Sequence, residues 1–291
     1  MDLTVVIINW NSGSCLAQLI DSLADIKDEL RGILVADNAS SDASLDSVQG
    51  ESRLELIRFE RNLGFAEAAN RGISQADSEF ILLLNPDVIV HAHSIRNLYR
   101  SLMKRPKAAI ACGLLFDSHR RPQNSFQFRR LPTAWSVVRD ALFLDEIGSM
   151  FRTKRCSLDF HEEGAEPMAG IAIGQQPAAA YWLLRKKAWE SVGGFDPRFY
   201  PAWFEDVDFC KRIMSDGWEV IYVPDSPAIH QGGFSVEQLG YPAFVTTYYT
   251  NLLKYLNKHH PLSYPLLWLP VNLGILARRC CGSRWAERVR E

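Results

Sequence analysis

One pattern constrains this chain more than any other. A short apolar run ends abruptly in a polar cluster, a stretch with helical spacing follows, and the sequence repeats. Leu3 to Ile8 is β-rich and apolar throughout, as a strand buried on both faces must be. Ser12 and Ser14 offer helix caps, and Leu16, Leu19, Ile20, Leu23 and Ile26 then recur at helical spacing. Gly32 to Ala36 reads as a second strand, stopped by Asp37-Asn38-Ala39-Ser40-Ser41-Asp42. Leu54 to Phe59 is a third strand, and Phe65 to Ala76 a short helix. Phe80 to Leu84 is a fourth strand, halted by Asn85-Pro86-Asp87. Ile95, Leu98, Tyr99 and Leu102 mark another helix before a strand from Ala108 to Phe116. Right-handed crossovers turn this order into a parallel sheet covered by helices.

Residues 117 to 175 mix Pro, Arg and aromatic side chains with little periodicity, and are expected to form loops over a cleft. Regular structure returns from Tyr181. A helix is expected near Lys187, then the turn Gly193-Gly194-Phe195-Asp196, a helix over Val207 to Ser215 and a strand over Val220 to Val223. Leu262 to Ala277 is apolar apart from Ser263 and Asn272, and Arg278 and Arg279 follow it. It falls short of the roughly 20 residues a spanning helix needs. Two readings stay open for it: a helix packed on the domain, or an in-plane membrane contact with its arginines on anionic head groups.

A net charge of −2 over 291 residues supplies no global basic field for nucleic acid, so no nucleic-acid partner is expected. The six cysteines include no CxxC pair and are too sparse for a disulfide scaffold, which points to buried thiols in a reducing compartment. With no basic n-region at the N-terminus, the expected location is cytoplasmic, or peripheral on the cytoplasmic face of the inner membrane.

Ligands of open α/β sheets bind at the carboxyl ends of the strands. Asp37 and Asp87 fall at two such ends. Either alone reads equally well as an Asx turn; two on one sheet edge favour a ligand site. A carboxylate repels a diphosphate, but it can hold a ribose hydroxyl, a base N–H or a divalent cation that bridges phosphates. No GxxxxGK[ST] loop is present to cradle phosphates with backbone alone, so a metal is the economical way to neutralise a leaving diphosphate. Asn62-Leu63-Gly64-Phe65-Ala66 lies at the mouth of a helix, where backbone can approach a nucleotide closely. Glu205, Asp206 and Asp208 follow the aromatic stretch Phe199-Tyr200-Pro201-Ala202-Trp203. Paired carboxylates among rings suit a partly desolvated general base; the alternative is an acidic helix N-terminus stabilised by the macrodipole. Asp208 is expected to do only the latter or to face solvent. His230, taken alone, reads as structural.

In order and spacing these segments resemble glycosyltransferase family 2, and within it the bacterial rhamnosyltransferase-like branch with a GT-A fold. The resemblance runs from Val5-Val6-Ile7-Ile8-Asn9-Trp10-Asn11 through Val35-Ala36-Asp37-Asn38, Asn62-Leu63-Gly64, Asn70-Arg71-Gly72 and Asn85-Pro86-Asp87 to Phe204-Glu205-Asp206-Val207-Asp208 and His230. It implies a Rossmann-like, mostly parallel sheet flanked by helices in a domain over residues 1–235. The nucleotide-binding half would take about 1–116 and the acceptor half about 117–235, with a C-terminal helical extension over 236–291. Asp37 is similar to the residue that reads the nucleotide base, with Asn9 and Asn11 lining the same pocket. Asn38, Asn62, Gly64, Arg71 and Asn85 are implied as further nucleotide-sugar contacts. Asn85-Pro86-Asp87 stands where the family has a DxD motif, so Asp87, with His230, would hold Mg2+ or Mn2+. Asp206 matches the catalytic base and Glu205 its neighbour that positions base or acceptor.

The expected reaction is an inverting transfer from a nucleotide-sugar donor, with dTDP-rhamnose favoured, to a glycan or lipid-linked acceptor in cell-surface glycan synthesis. Two other functions fit parts of the sequence. A non-catalytic GT-A-like binder predicts a damaged base or metal site, whereas Asp206, Asp87 and His230 are all intact. A nucleotidyltransferase would want a basic, Gly-rich N-terminal loop, and Asn9-Trp10-Asn11-Ser12-Gly13 contains no Lys or Arg.

Overall fold

The computed structural model describes residues 1–48, 50, 53–142, 175–232 and 238–280. Each apolar run of the first half becomes a strand: β1 (Leu3–Asn9), β2 (Gly32–Asp37), β3 (Leu54–Arg58), β4 (Phe80–Leu84) and β6 (Ala108–Cys112). β1, β4 and β6 are buried along their whole length, so both faces of the sheet are covered. Between them lie α1 (Cys15–Ser22), α2 (Phe65–Gln75) and α3 (Ala92–Met103). β10 (Tyr181–Arg185), α6 (Lys186–Ser191), α7 (Glu205–Ser215) and β11 (Glu219–Tyr222) complete the second half. The main sheet has the order β11-β6-β10-β4-β1-β2-β3. It is mostly parallel, but β10 runs antiparallel to both β4 and β6, a reversal that the strand–helix alternation did not announce.

The run from Ala108 to Phe116 is two strands rather than one. β6 stops at Cys112, and β7 (Leu115–Phe116) leaves for a small sheet, in the order β5-β12-β7, with β5 (Val88–Ile89) and β12 (Ala228–His230). The break falls at Gly113, where a Cβ would collide with the Ser226 carbonyl. The small sheet matters because it brings His230 beside Val88, one residue beyond Asp87. Residues 117–142 hold more structure than the loops expected there: α4 (Asn124–Gln127), β8 (Phe128–Arg130), which pairs with β9 (Gln175–Pro177), and α5 (Ala134–Ala141), started by a Thr133–Ser136 capping box. The remainder of that expectation, residues 143–174, lies outside the described residues. Ser14 occupies the N-cap of α1 without a side-chain cap bond, and Ser12 donates instead to Asn9 Oδ1 at 2.5 Å. Ser14 is thus the N-cap by position alone, and Ser12 serves the strand edge.

Two long helices end the described residues, α8 (Tyr241–His259) and α9 (Tyr264–Cys280). They share a core with Phe199, Phe204 and Val207 and with Val137 and Ala141 of α5. Cys15, Cys112 and Cys210 are buried free thiols.

Candidate active site

The parallel register sets Asn9 opposite Asp37 at the ends of β1 and β2. Asn9 Nδ2 donates to Asp37 Oδ1 at 2.9 Å and lies 3.1 Å from both the Ser40 and Ser44 hydroxyls. Asp37 Oδ2 accepts from the Ser40 N–H, and Arg58 at the end of β3 stands 4.0 Å away. Asn11, held at φ +47°, donates its N–H to Ser40 Oγ and accepts from the Ser41 N–H. Asn38 Oδ1 accepts from the Leu63 N–H, and Asn62 Oδ1 accepts from the Gly64 N–H, folding the 62–64 loop over the same edge. Asn9, Asn11, Asp37, Asn38, Asn62 and Gly64 therefore form one connected group. Arg71 stands apart from it, because its side chain pairs with Glu67 one turn away on α2 and stacks on Phe59. The neighbours in its motif are structural: Asn70 bonds the backbone of Phe195 through both ends of its amide, and Gly72 lets α2 approach Val6.

β4 lies on the other side of β1, so Asn85 and Asp87 sit about two strand spacings, roughly 10 Å, along the edge from Asp37. Asn85 is half-buried, and its N–H donates to Ala180 of the Pro177–Ala180 segment. Asp87 Oδ2 accepts from the Gly232 N–H at 3.0 Å and lies 3.6 Å from His230 Nε2. His230 stacks on Phe126, and its Nδ1 is 2.9 Å from Gln123 Oε1. That amide oxygen can only accept, so Nδ1 carries the proton and Nε2 turns its lone pair toward Asp87. Burial pushes the imidazole pKa down against the opposing pull of Asp87, which favours the neutral ring. A carboxylate and a neutral imidazole facing each other without a proton between them suit a divalent cation whose other positions go to water and diphosphate oxygens. Among the described residues no three His, Cys, Asp or Glu side chains gather as a closed cage.

The third group opens α7. Trp203 and Phe204 both take left-handed backbone, φ +70° and +75°, which costs non-glycine residues roughly 1–2 kcal/mol each. Glu205 and Asp206 follow at once, and both are buried. Asp206 Oδ1 accepts from the Val207 N–H, and Oδ2 accepts from Arg129 Nη2 at 2.8 Å. Glu205 Oε2 is buried with no hydrogen-bond partner among the described residues. Burial first, then the charge of Asp206, pushes the Glu205 carboxyl well up, so the pair divides into a proton-holding acid and a carboxylate tied to a guanidinium. Asp208 does not face solvent as one expectation had it. It is fully buried, bound by Arg212, Lys258 and His259 at 2.7–2.8 Å, and these partners outweigh burial and draw its pKa down.

The acidic pair and the edge at the ends of β1 and β2, the expected donor edge, are joined by backbone. Phe65 N–H donates to the Pro201 carbonyl at 2.7 Å, and a Cβ on Gly64 (φ +80°) would strike Tyr200 and Pro201. Arg129, Gln123 and Ser44 are site residues that sequence reasoning missed. Gln123 and Arg129 lie about a hundred and about eighty positions from the groups they hold, and nothing local marks them. Ser44 lay just past the polar stop after β2 and could have been included.

Residues 4–153 match the family model described as glycosyl transferase family 2, and residues 80–244 match the model for glycosyl transferase family group 2. The chain belongs to glycosyl transferase family 2. It is 27% identical over 247 residues to the N-acetylglucosaminyl-diphospho-decaprenol L-rhamnosyltransferase of Mycobacterium tuberculosis H37Rv, covering 80% of this chain and 77% of that one. It is 25% identical to the rhamnosyltransferase WbbL of Escherichia coli K12 over 78% of this chain and 82% of the relative. In structure it resembles the mannosyltransferase PcManGT of Pyrobaculum calidifontis, solved with GDP-Man and Mn2+, with a TM-score of 0.57 at 16% identity over 97% of this chain and 76% of that one. GalNAc-T7, solved with UDP, GalNAc and Mn2+, gives 0.56 at 16% identity over 78% of this chain and 43% of that one. The fold is therefore GT-A, and the chain is a family 2 glycosyltransferase of the rhamnosyltransferase-like branch.

Proposed function

We propose that this glycosyltransferase moves rhamnose, with inversion, from dTDP-rhamnose to a hydroxyl of a lipid-linked or polysaccharide acceptor on the cytoplasmic side of the cell envelope. The observation that carries the chemistry is the unequal environment of two adjacent carboxylates. Glu205 is favoured in its protonated form, which leaves Asp206 to accept a proton. Asp206 removes the acceptor proton as the hydroxyl oxygen bonds to the anomeric carbon, and the carbon–oxygen bond to the diphosphate breaks with its electron pair going to the phosphate oxygen. Asp37 and Asn9 hold the nucleoside at the edge of β1 and β2, with Asn11, Asn38, Asn62 and Gly64 walling the pocket and Asn85 toward the sugar. Arg71 is a donor contact only if its ion pair with Glu67 opens. Asp87 and His230 would hold Mg2+ or Mn2+, which when bound neutralises charge on the departing diphosphate.

The choice of rhamnose leans on the two rhamnosyltransferases above, and the choice of a lipid-linked acceptor on the decaprenol named in one of them. Purified protein offered a panel of nucleotide sugars should consume dTDP-rhamnose fastest. Preference for a different sugar nucleotide would end the rhamnose assignment and leave the transfer chemistry standing.

A membrane-bound acceptor also gives a use for α9. Leu267, Val271 and Ile275 pack inward, yet Leu262, Leu266, Trp268, Leu269, Leu273 and Leu276 are exposed on the outside. At about 26 Å the helix is short of the roughly 30 Å hydrocarbon layer, and no described helix is long and apolar enough to cross a membrane. The fit is an in-plane contact with an anionic lipid surface through the exposed Arg279; Arg278, expected beside it, is instead buried against Asp140. Vesicles containing anionic lipid should sediment the protein, and the triple change Leu266→Glu, Leu269→Glu, Leu273→Glu should release it. A wild-type chain that ignores vesicles, or that hides the face in a dimer by sedimentation velocity, would remove the membrane contact.

A further inference from the structure

Three backbone carbonyls that lead into the acidic pair converge on one side chain of the C-terminal helices. Asn251 of α8 is fully buried, and its Nδ2 donates to the carbonyls of Tyr200 at 3.3 Å, Ala202 at 2.8 Å and Trp203 at 3.2 Å. Its Oδ1 accepts from Lys254 Nζ at 2.8 Å, and the same ammonium donates to the Arg198 carbonyl at 2.6 Å. An ammonium is a donor only, so it fixes which end of the amide faces the loop. The rings of the two left-handed residues also lean on α8: Trp203 on Phe244, and Phe204 on Tyr248 and Tyr255.

We infer that Asn251 is a positioning residue for Asp206, acting through the loop 200–204. The inference rests on the reading of Asp206 as the base. Without the amide, three carbonyls turned into the protein lose their donor, and rotation of those peptide planes is the way to relieve it. Rotation would release the left-handed turn at Trp203 and Phe204 and move the first residues of α7. It would also disturb Tyr200 and Pro201, where the loop meets Gly64 and Phe65 of the donor edge. Asn251 touches no reacting atom; it sets the distance between base and donor from 45 positions downstream of Asp206.

Asn251→Asp tests this, since it keeps the shape but turns a carboxylate toward the three carbonyls. Lys254→Met is the milder companion, on a half-exposed side chain that only orients the amide. Both are made in the full chain, with kcat, acceptor KM, nucleoside diphosphate affinity and thermal midpoint measured for each. A displacement near 1 Å costs on the order of 100-fold in rate, so kcat should fall roughly 30- to 100-fold in Asn251→Asp and about threefold in Lys254→Met. Nucleotide affinity should stay within about twofold in Lys254→Met and fall far less than kcat in Asn251→Asp, because Asn9 and Asp37 take nothing from α8 and only Gly64 and Phe65 of the pocket meet the loop. An unchanged kcat in folded protein, or a kcat that falls only in step with nucleotide affinity, overturns the inference. If Asn251→Asp does not fold, Lys254→Met decides by the same split. If Asp206→Asn keeps its transfer rate while Asn251→Asp loses it, the base assignment fails and the loop assignment stands.

Discussion

The donor edge and the start of α7 solve opposite problems with the same residue type. Asp37 is a buried carboxylate held by two neutral donors, Asn9 Nδ2 and the Ser40 N–H, 28 and 3 positions away, with the exposed Arg58 at 4.0 Å. Glu205 and Asp206 are buried beside each other, follow two left-handed residues, and depend on Arg129 far away in sequence. The first arrangement satisfies its carboxylate locally and suits the ligand seat proposed for it. The second concentrates charge, desolvation and backbone strain, the conditions under which one carboxyl keeps its proton and its neighbour is poised to take one. On the proposed reading, binding and chemistry fall to two groups that meet only through the backbone at Gly64, Phe65 and Pro201, and substitutions should separate them in measurement.

The largest effect on the binding side is expected from the pair at the end of β4. Asp87→Ala or His230→Ala should weaken Mn2+-dependent nucleoside diphosphate affinity by roughly 100-fold, the upper end of what even supporting changes around a metal cost. Calorimetry with and without Mn2+ reads this, and unchanged metal dependence would break the assignment. Gln123→Leu removes the acceptor for the Nδ1 proton of His230 and should cost roughly tenfold in the same titration. On the chemical side, Arg129→Met leaves Asp206 without its partner. It should lower stability by about 2 kcal/mol, less than a fully buried pair would lose because Arg129 keeps some water contact. Nucleotide affinity should hold, and a drop there would show that the two regions are not separable.

The smallest effect is the most diagnostic of sign. Glu205 has its pKa raised in the folded state, so its favourable contribution is complete below the ordinary carboxylate range and is lost as pH rises through the folded value. Glu205→Gln should therefore gain in thermal midpoint relative to wild type as pH goes from 5 to 8, by a few degrees. A difference that stays flat from pH 5 to 8 would mean that Glu205 is already ionised in the fold.

The same contrast explains what could be read from the residues alone. Asp37 was legible because its setting is local, an apolar strand followed at once by a polar stop; Asn9 was joined to it only through resemblance, although parallel register sets the two side by side. Asp87 and His230 were joined only through resemblance, since their meeting depends on the small sheet formed by β5, β12 and β7. The antiparallel β10 was hidden because a buried antiparallel strand and a buried parallel one carry the same apolar run, Tyr181 to Arg185. Asp208 looked like a helix-start acid, and its burial follows from Lys258 and His259, fifty positions on. Asn251 gave no sign, for an asparagine between Thr250 and Leu252 on a long helix looks like any exposed polar residue.

The most direct measurement is a pair of readings on Asp206→Asn, the transfer rate and the calorimetric affinity for the nucleoside diphosphate with Mn2+. A general base contributes on the order of 100- to 10,000-fold, so the rate should fall at least 100-fold while affinity changes by no more than about twofold. A variant that still transfers sugar, or one that loses the nucleotide together with the rate, would contradict the assignment of Asp206 as the base.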